Sequence, residues 1–89
     1  MSNVSPHFTT MAEIDATHLF KDENVNWHYC KEMATFSHRE ACEFIIHSGD
    51  NDFVERKVKE MKSFECTEEF INAYRIAAAS GALRVLFYV

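Results

Sequence analysis

The sequence predicts one small α+β domain, mostly helical, with elements in the order α–β–α–α–α–β. Three observations predict it. Apolar residues recur at helical spacing in segments that open on capping residues. Apolar and polar residues alternate around Trp27, and a β-branched and aromatic run closes the chain. The 89 residues are 47% hydrophobic, with eight Phe, three Tyr and one Trp but one Pro and two Gly, so the chain holds material for a single core. Residues 1–7 are expected to form a flexible start and residues 8–89 the domain.

Residues 8–20 fit two templates. Thr10-Met11-Ala12-Glu13 has the form of a capping box, which would start a helix running to about Lys21. Phe8, Thr10, Ala12, Ile14, Ala16 and Phe20 also alternate as in a strand. The capping box selects the helix. Lys21-Asp22-Glu23-Asn24 is a loop in either case. Val25, Trp27 and Tyr29 alternate with Asn26, His28 and Cys30, which suits a strand of five to seven residues.

Ser37-His38-Arg39-Glu40 is a second capping box, with Phe36 and Ala41 as the halves of a hydrophobic staple. Ala41, Phe44, Ile45 and Ser48 continue one face, so a helix is expected over 38–48, stopped by Gly49. Asp50-Asn51-Asp52 opens the next helix, which buries Phe53, Val54, Val58 and Met61 and breaks at Ser63-Phe64-Glu65. Thr67 starts another, with Glu68 and Glu69 in its first turn and Phe70, Ala73, Tyr74 and Ala77 on one face. Gly81 ends it. Leu83–Val89 reads as a strand covered on both faces, paired with the strand near Trp27 in a small sheet. A two-stranded sheet leaves edges open, and pairing this apolar strand across a homodimer or with a target would close one.

Composition narrows the function classes. Fourteen acidic against nine basic residues give a net charge of −5, which argues against general nucleic-acid binding. The start Met1-Ser2-Asn3-Val4-Ser5-Pro6 lacks the basic and apolar regions of a secretory signal, and no apolar run approaches the ~20 residues of a membrane helix. Cys30, Cys42 and Cys66 are an odd, widely spaced set, as expected of reduced thiols in a cytoplasmic protein.

Four chemistries remain to be weighed. His28 and Cys30, two apart on a strand, and His38 and Cys42, four apart on a helix, could supply a Cys2His2 zinc set. His47 and Cys66 are spare ligands. No Cys-x-x-Cys or His-x-x-x-His occurs, and burial as small core residues and polar rim positions accounts for the same side chains. A nucleophilic cysteine needs a base and an activating field. Cys42 has His38 one turn away, and Cys66 precedes a helix start, but Glu65, Glu68 and Glu69 would raise its pKa. Asp50-Asn51-Asp52 is followed by no glycine at the sixth position and no glutamate at the twelfth, so it is no calcium loop. Gly49 and Gly81 are too few and too far apart for a phosphate loop. The sequence therefore offers no catalytic residues, no cofactor and no metal as its first reading.

Arg56, Lys57, Lys59 and Lys62 concentrate four of the nine basic residues on one predicted helix, beside Glu55 and Glu60. They form either a solvated helix face or a docking ridge for an acidic partner or a nucleic-acid backbone. Trp27 and Tyr88 add aromatic types enriched in binding hot spots. The expected function is a small non-enzymatic protein that occupies another protein's surface, as an inhibitor or adaptor. Accessory proteins of phages and mobile elements, acting against a host system, are a common class at this size. The alternatives are a nucleic-acid-associated regulator using the Arg56–Lys62 ridge and a small zinc-binding domain using His28, Cys30, His38 and Cys42.

Overall fold

The structure, a computed structural model, describes residues 11–38 and 43–89, without the side chains of Phe36 and His38. It is an α+β domain, as expected, but with a different order of elements. Strand β1 (Met11–Asp15) leads through a short 3-10 turn at Lys21–Glu23 into helix α1 (Val25–Met33). Strands β2 (Phe36–His38) and β3 (Glu43–His47) follow, then helices α2 (Asn51–Ser63) and α3 (Glu68–Ala79), and finally strand β4 (Arg84–Tyr88). The four strands form one mixed sheet in the order β1-β4-β3-β2. Parallel pairing joins β1 to β4, and the other two pairings are antiparallel.

Three expected elements are corrected. Residues 11–15 form a strand, not the start of a helix. Their alternation prevails because β4 supplies a ladder from Met11↔Arg84 to Asp15↔Tyr88, and Ala12 and Ile14 then turn to the core. Thr10, the cap of the rejected helix, lies outside the described residues, as does the whole expected flexible start. The segment around Trp27 is helical. Asn24, expected in a loop, caps it by accepting from the N–H groups of Asn26 (3.0 Å) and Trp27 (3.3 Å). Buried Asn26, Tyr29 and Cys30 then fall on one helical stripe.

The helix expected over 38–48 is replaced by strand. In Glu43–His47, Phe44 and Ile46 are buried while Glu43 and His47 are exposed, a period of two that pairs with β4. Residues 39–42, which include half of the Ser37-to-Glu40 box, lie outside the described residues. Gly49 consequently ends no helix. Instead, Asp50 behind it caps α2 by accepting from the Phe53 N–H at 2.9 Å. The expected two-stranded sheet also gives way. With β4 interior and bonded on both sides, the C-terminal strand has no free edge through which to form a homodimer.

The last third follows the sequence in its helices, but β4, expected to be covered on both faces, buries Val85 and Phe87 under the helices and leaves Leu86 and Tyr88 of the other face half-buried. Asp50 and Thr67 cap α2 and α3, and Gly81 adopts φ 97° beyond the end of α3. Between the helices Glu65 sits at φ 67°, its N–H bonded to the Lys62 carbonyl, with the Cys66 N–H bonded to Met61, both at 3.0 Å. This is the Schellman arrangement, built on a non-glycine residue.

All three helices cover one face of the sheet. Phe44 and Phe87 rise from it to meet Phe70 of α3 and Phe20 from the β1–α1 connection. Phe20 stands edge-on to Phe44 at 5.6 Å between centroids, and Phe70 lies 4.8 Å from Phe87. Tyr29 of α1 joins edge-on to Phe70 at 6.0 Å. Burial of each such ring contributes about 1.5–3 kcal/mol, with ~0.5–1.5 more for each well-placed ring pair.

Two polar side chains are buried among the described residues: Ser48, whose hydroxyl donates to the Ala82 carbonyl at 2.8 Å, and Asn26. Asn26 is 1% exposed; its amide donates to the Leu19 carbonyl and to Thr67 Oγ1, both at 2.9 Å, and accepts from the Thr67 N–H at 3.0 Å. Replacing Asn26 by Ala leaves a carbonyl and an N–H without their partner, so Asn26→Ala is expected to cost about 2–4 kcal/mol. Urea unfolding with exposed Asn72→Ala as control checks this, and equal midpoints for the two variants would refute it. At the left-handed position, Glu65→Gly removes a side-chain clash and should raise stability by about 0.5–1 kcal/mol in the same assay.

Candidate functional site

Burial of Val54, Val58 and Met61 turns Arg56, Lys59 and Lys62 of α2 outward. These three cations, with Arg75 of α3, line a surface groove of about 500 Å³ that also takes in Asp52 and Glu55. Arg75 forks onto Glu55 with contacts of 2.9 and 3.4 Å. At 41% and 60% side-chain exposure this pair is worth only ~0.2–1 kcal/mol, but it neutralises both members. Lys59 and Lys62 have no ion-pair partner among the described residues, and Arg56 leans over the Phe53 ring at 5.9 Å.

Lys57, expected on the same ridge, turns elsewhere. Its ammonium bonds Glu60 at 3.1 Å, and Glu60 also accepts from the Tyr29 hydroxyl at 2.6 Å. Lys57 thus belongs to a link between α1 and α2. Trp27 sits half-buried on α1 with the Lys31 ammonium 4.7 Å above its ring. Tyr88 is on the sheet. The six expected contact residues therefore stand on three different elements: Arg56, Lys59 and Lys62 share the groove beside α3, and Lys57 meets Arg56 over the Phe53 ring, at 6.0 and 5.9 Å from it.

The sheet presents a second surface. Its face away from the helices carries three rows set by strand register: Asp15–Tyr88–Glu43, Glu13–Leu86–Ile45 and Met11–Arg84–His47. Ile45, Leu86 and Tyr88 are half-buried, while the charged members of these rows are exposed. No described helix packs on them. Arg75 and this open face escape the sequence reading. Arg75 becomes visible only when α3 lies beside Glu55, and the open face requires β3, which the sequence reading takes as helix.

The zinc set is not assembled. On a helix, side chains two apart diverge, so Cys30 is buried while His28 is exposed. The His38 side chain and Cys42 lie outside the described residues. Among the described residues no group of three His, Cys, Asp or Glu is placed to hold a metal.

The described thiols are stabilised as thiols. Burial raises Cys30 well above the ordinary range, with a smaller contribution from Cys66. Burial alone pushes Cys66 up to about 11, so its place ahead of α3 does not activate it. Burial likewise raises Tyr29, helped by its bond to Glu60, and raises Tyr74, whose hydroxyl donates to the His47 carbonyl at 2.8 Å. A raised folded-state pKa favours the neutral form, so this stability is full below the unfolded value and is lost as pH rises. Cys66 alkylation, mapped by mass spectrometry, should therefore accelerate with pH through about 11 rather than the ordinary 9.0. Fast labelling at pH 8, equal to that in urea, would contradict it.

No protein-family model matches the chain, and comparison with curated proteins and with solved structures finds no match either.

Proposed function

We propose that this chain is a non-enzymatic protein-binding protein that acts as an inhibitor or adaptor by covering part of a partner's surface. The observation that carries this reading is the one-sided sheet. Half-buried Ile45 and Leu86 pair across strands on its open face, with half-buried Tyr88 in the next row, bordered by Glu13, Asp15, Arg84 and His47. An apolar and aromatic centre inside a charged rim is the anatomy of a protein interface.

The groove beside α2 supports a second, narrower reading. Arg56, Lys59 and Lys62 suit an acidic segment, whereas Asp52 and Glu55 in the same groove oppose a continuous phosphate backbone. The chain's net charge of −5 opposes it further.

The test is an affinity capture from bacterial lysate with the wild type, Tyr88→Ala and the double variant Lys59→Glu/Lys62→Glu. The wild type is expected to retain one protein near equal stoichiometry, and Tyr88→Ala to lose it by tenfold or more while keeping its circular dichroism spectrum. Retention of nucleic acid instead, released by salt and lost in the double variant, would overturn the proposal in favour of a nucleic-acid regulator.

A further inference from the structure

The edge of the sheet at β1 combines three features. One side of the strand is bonded to β4, and the other has no strand partner among the described residues. On the helix side, β1 and α3 enclose a groove of about 360 Å³, lined by Ala12, Ile14, Ala73, Ile76, Ala77 and Ser80. Ile76 at its border is 71% exposed. On the opposite side of the strand, Glu13 and Asp15 stand exposed. Asp15 accepts from the N–H (3.0 Å) and hydroxyl (2.7 Å) of Thr17, which orient its carboxylate and hold it below the usual range.

These features specify an occupant. A strand laid along β1 presents alternate side chains to the two faces. Those on one face would enter the apolar groove, and those on the other would lie beside two carboxylates. We propose that β1 accepts an extended segment of the partner protein as a fifth strand, with apolar residues alternating with Lys or Arg. Main-chain hydrogen bonds supply affinity, and the groove and the acidic row supply selectivity. The inference rests on the protein-binding reading above and adds how the partner is held.

A second copy of the chain is a poorer occupant. Antiparallel pairing about a two-fold axis at Glu13 sets that residue against itself, and an axis at Ile14 sets Glu13 against Asp15. Like charges directly opposite destabilise a strand pair.

The test uses the full chain and a fluorescein-labelled seven-residue peptide alternating lysine and valine, followed by anisotropy at low salt. Saturable binding is expected, weakened tenfold or more by Ile76→Glu, a substitution at an exposed position, and by Glu13→Lys. A peptide of the same composition with its valines contiguous, and one alternating glutamate and valine, should bind at least tenfold more weakly. Amide exchange within Met11–Asp15 should slow when the peptide binds. No saturable binding up to about 1 mM, equal affinity for the contiguous peptide, or unchanged binding by Ile76→Glu would overturn the inference. Sedimentation to a dimer that Ile76→Glu abolishes would assign the edge to a second copy and overturn it as well. If the peptide fails while affinity capture still retains a partner lost in Tyr88→Ala, strand addition falls and the protein-binding reading stands.

Discussion

The side chain of Asn26 is the constraint on which the arrangement of the helices depends. A buried amide has two donors and an acceptor to satisfy, and an unmet one costs ~1–3 kcal/mol. Asn26 meets them with three groups on two residues far apart in the sequence: the Leu19 carbonyl, and the hydroxyl and N–H of Thr67. The groups belong to the β1–α1 connection and to the cap of α3. Thr67 is itself committed, since its hydroxyl also accepts from the Phe70 N–H at 3.3 Å. One amide thus locks the start of α1 to the start of α3, and apolar packing alone could not fix that geometry, because it is indifferent to small rotations.

Once these two helix starts are joined, the rest of the packing is constrained. Tyr29 of α1 and Phe70 of α3 must share the same side of the sheet, where Phe44, Phe87 and Phe20 meet them. The Tyr29 hydroxyl then reaches Glu60 and brings in α2, while Tyr74 bonds the His47 carbonyl and ties α3 to the end of β3. Every helix is thereby drawn to one layer. No described helix is left to cover the opposite face of the sheet, so the candidate interface follows from the way the core is tied together.

The sequence makes some of this legible and conceals the rest for physical reasons. Asp50, Thr67 and Gly81 mark α2 and α3 because caps and left-handed stops act within a few residues, and β4 is marked by its composition. Residues 11–15, 25–33 and 43–47 are harder because their short apolar patterns satisfy both periods. Val25, Trp27 and Tyr29 alternate, yet the same stretch places Asn26, Tyr29 and Cys30 on one helical stripe. Only tertiary partners decide: β4 for the two strands, the core for α1. Asn26 gives no local sign that it is buried. Of the basic cluster, three residues reach a common groove, but Lys57 is diverted by Glu60, and Arg75 enters from another helix. Ile76 reads as part of an apolar run whose exposure depends on where the helix stops covering the sheet.

Strand order also bears on how the surface can be used. The most apolar strand, β4, lies inside the sheet with both sides bonded, and the strand at the β1 edge carries Glu13 and Asp15. Charges at an edge are a common means of discouraging edge-to-edge association. On the proposed reading they would discriminate as well as exclude. An acidic edge repels a copy of itself yet attracts a basic strand, so the same two carboxylates disfavour self-pairing and favour a particular class of partner. Thr17 holds one of them in place, which reduces the side-chain freedom that a docking cation would have to overcome. On the proposed reading, the charge that disfavours pairing with a second copy would leave the β1 edge, and the apolar groove beside it, to a complementary strand.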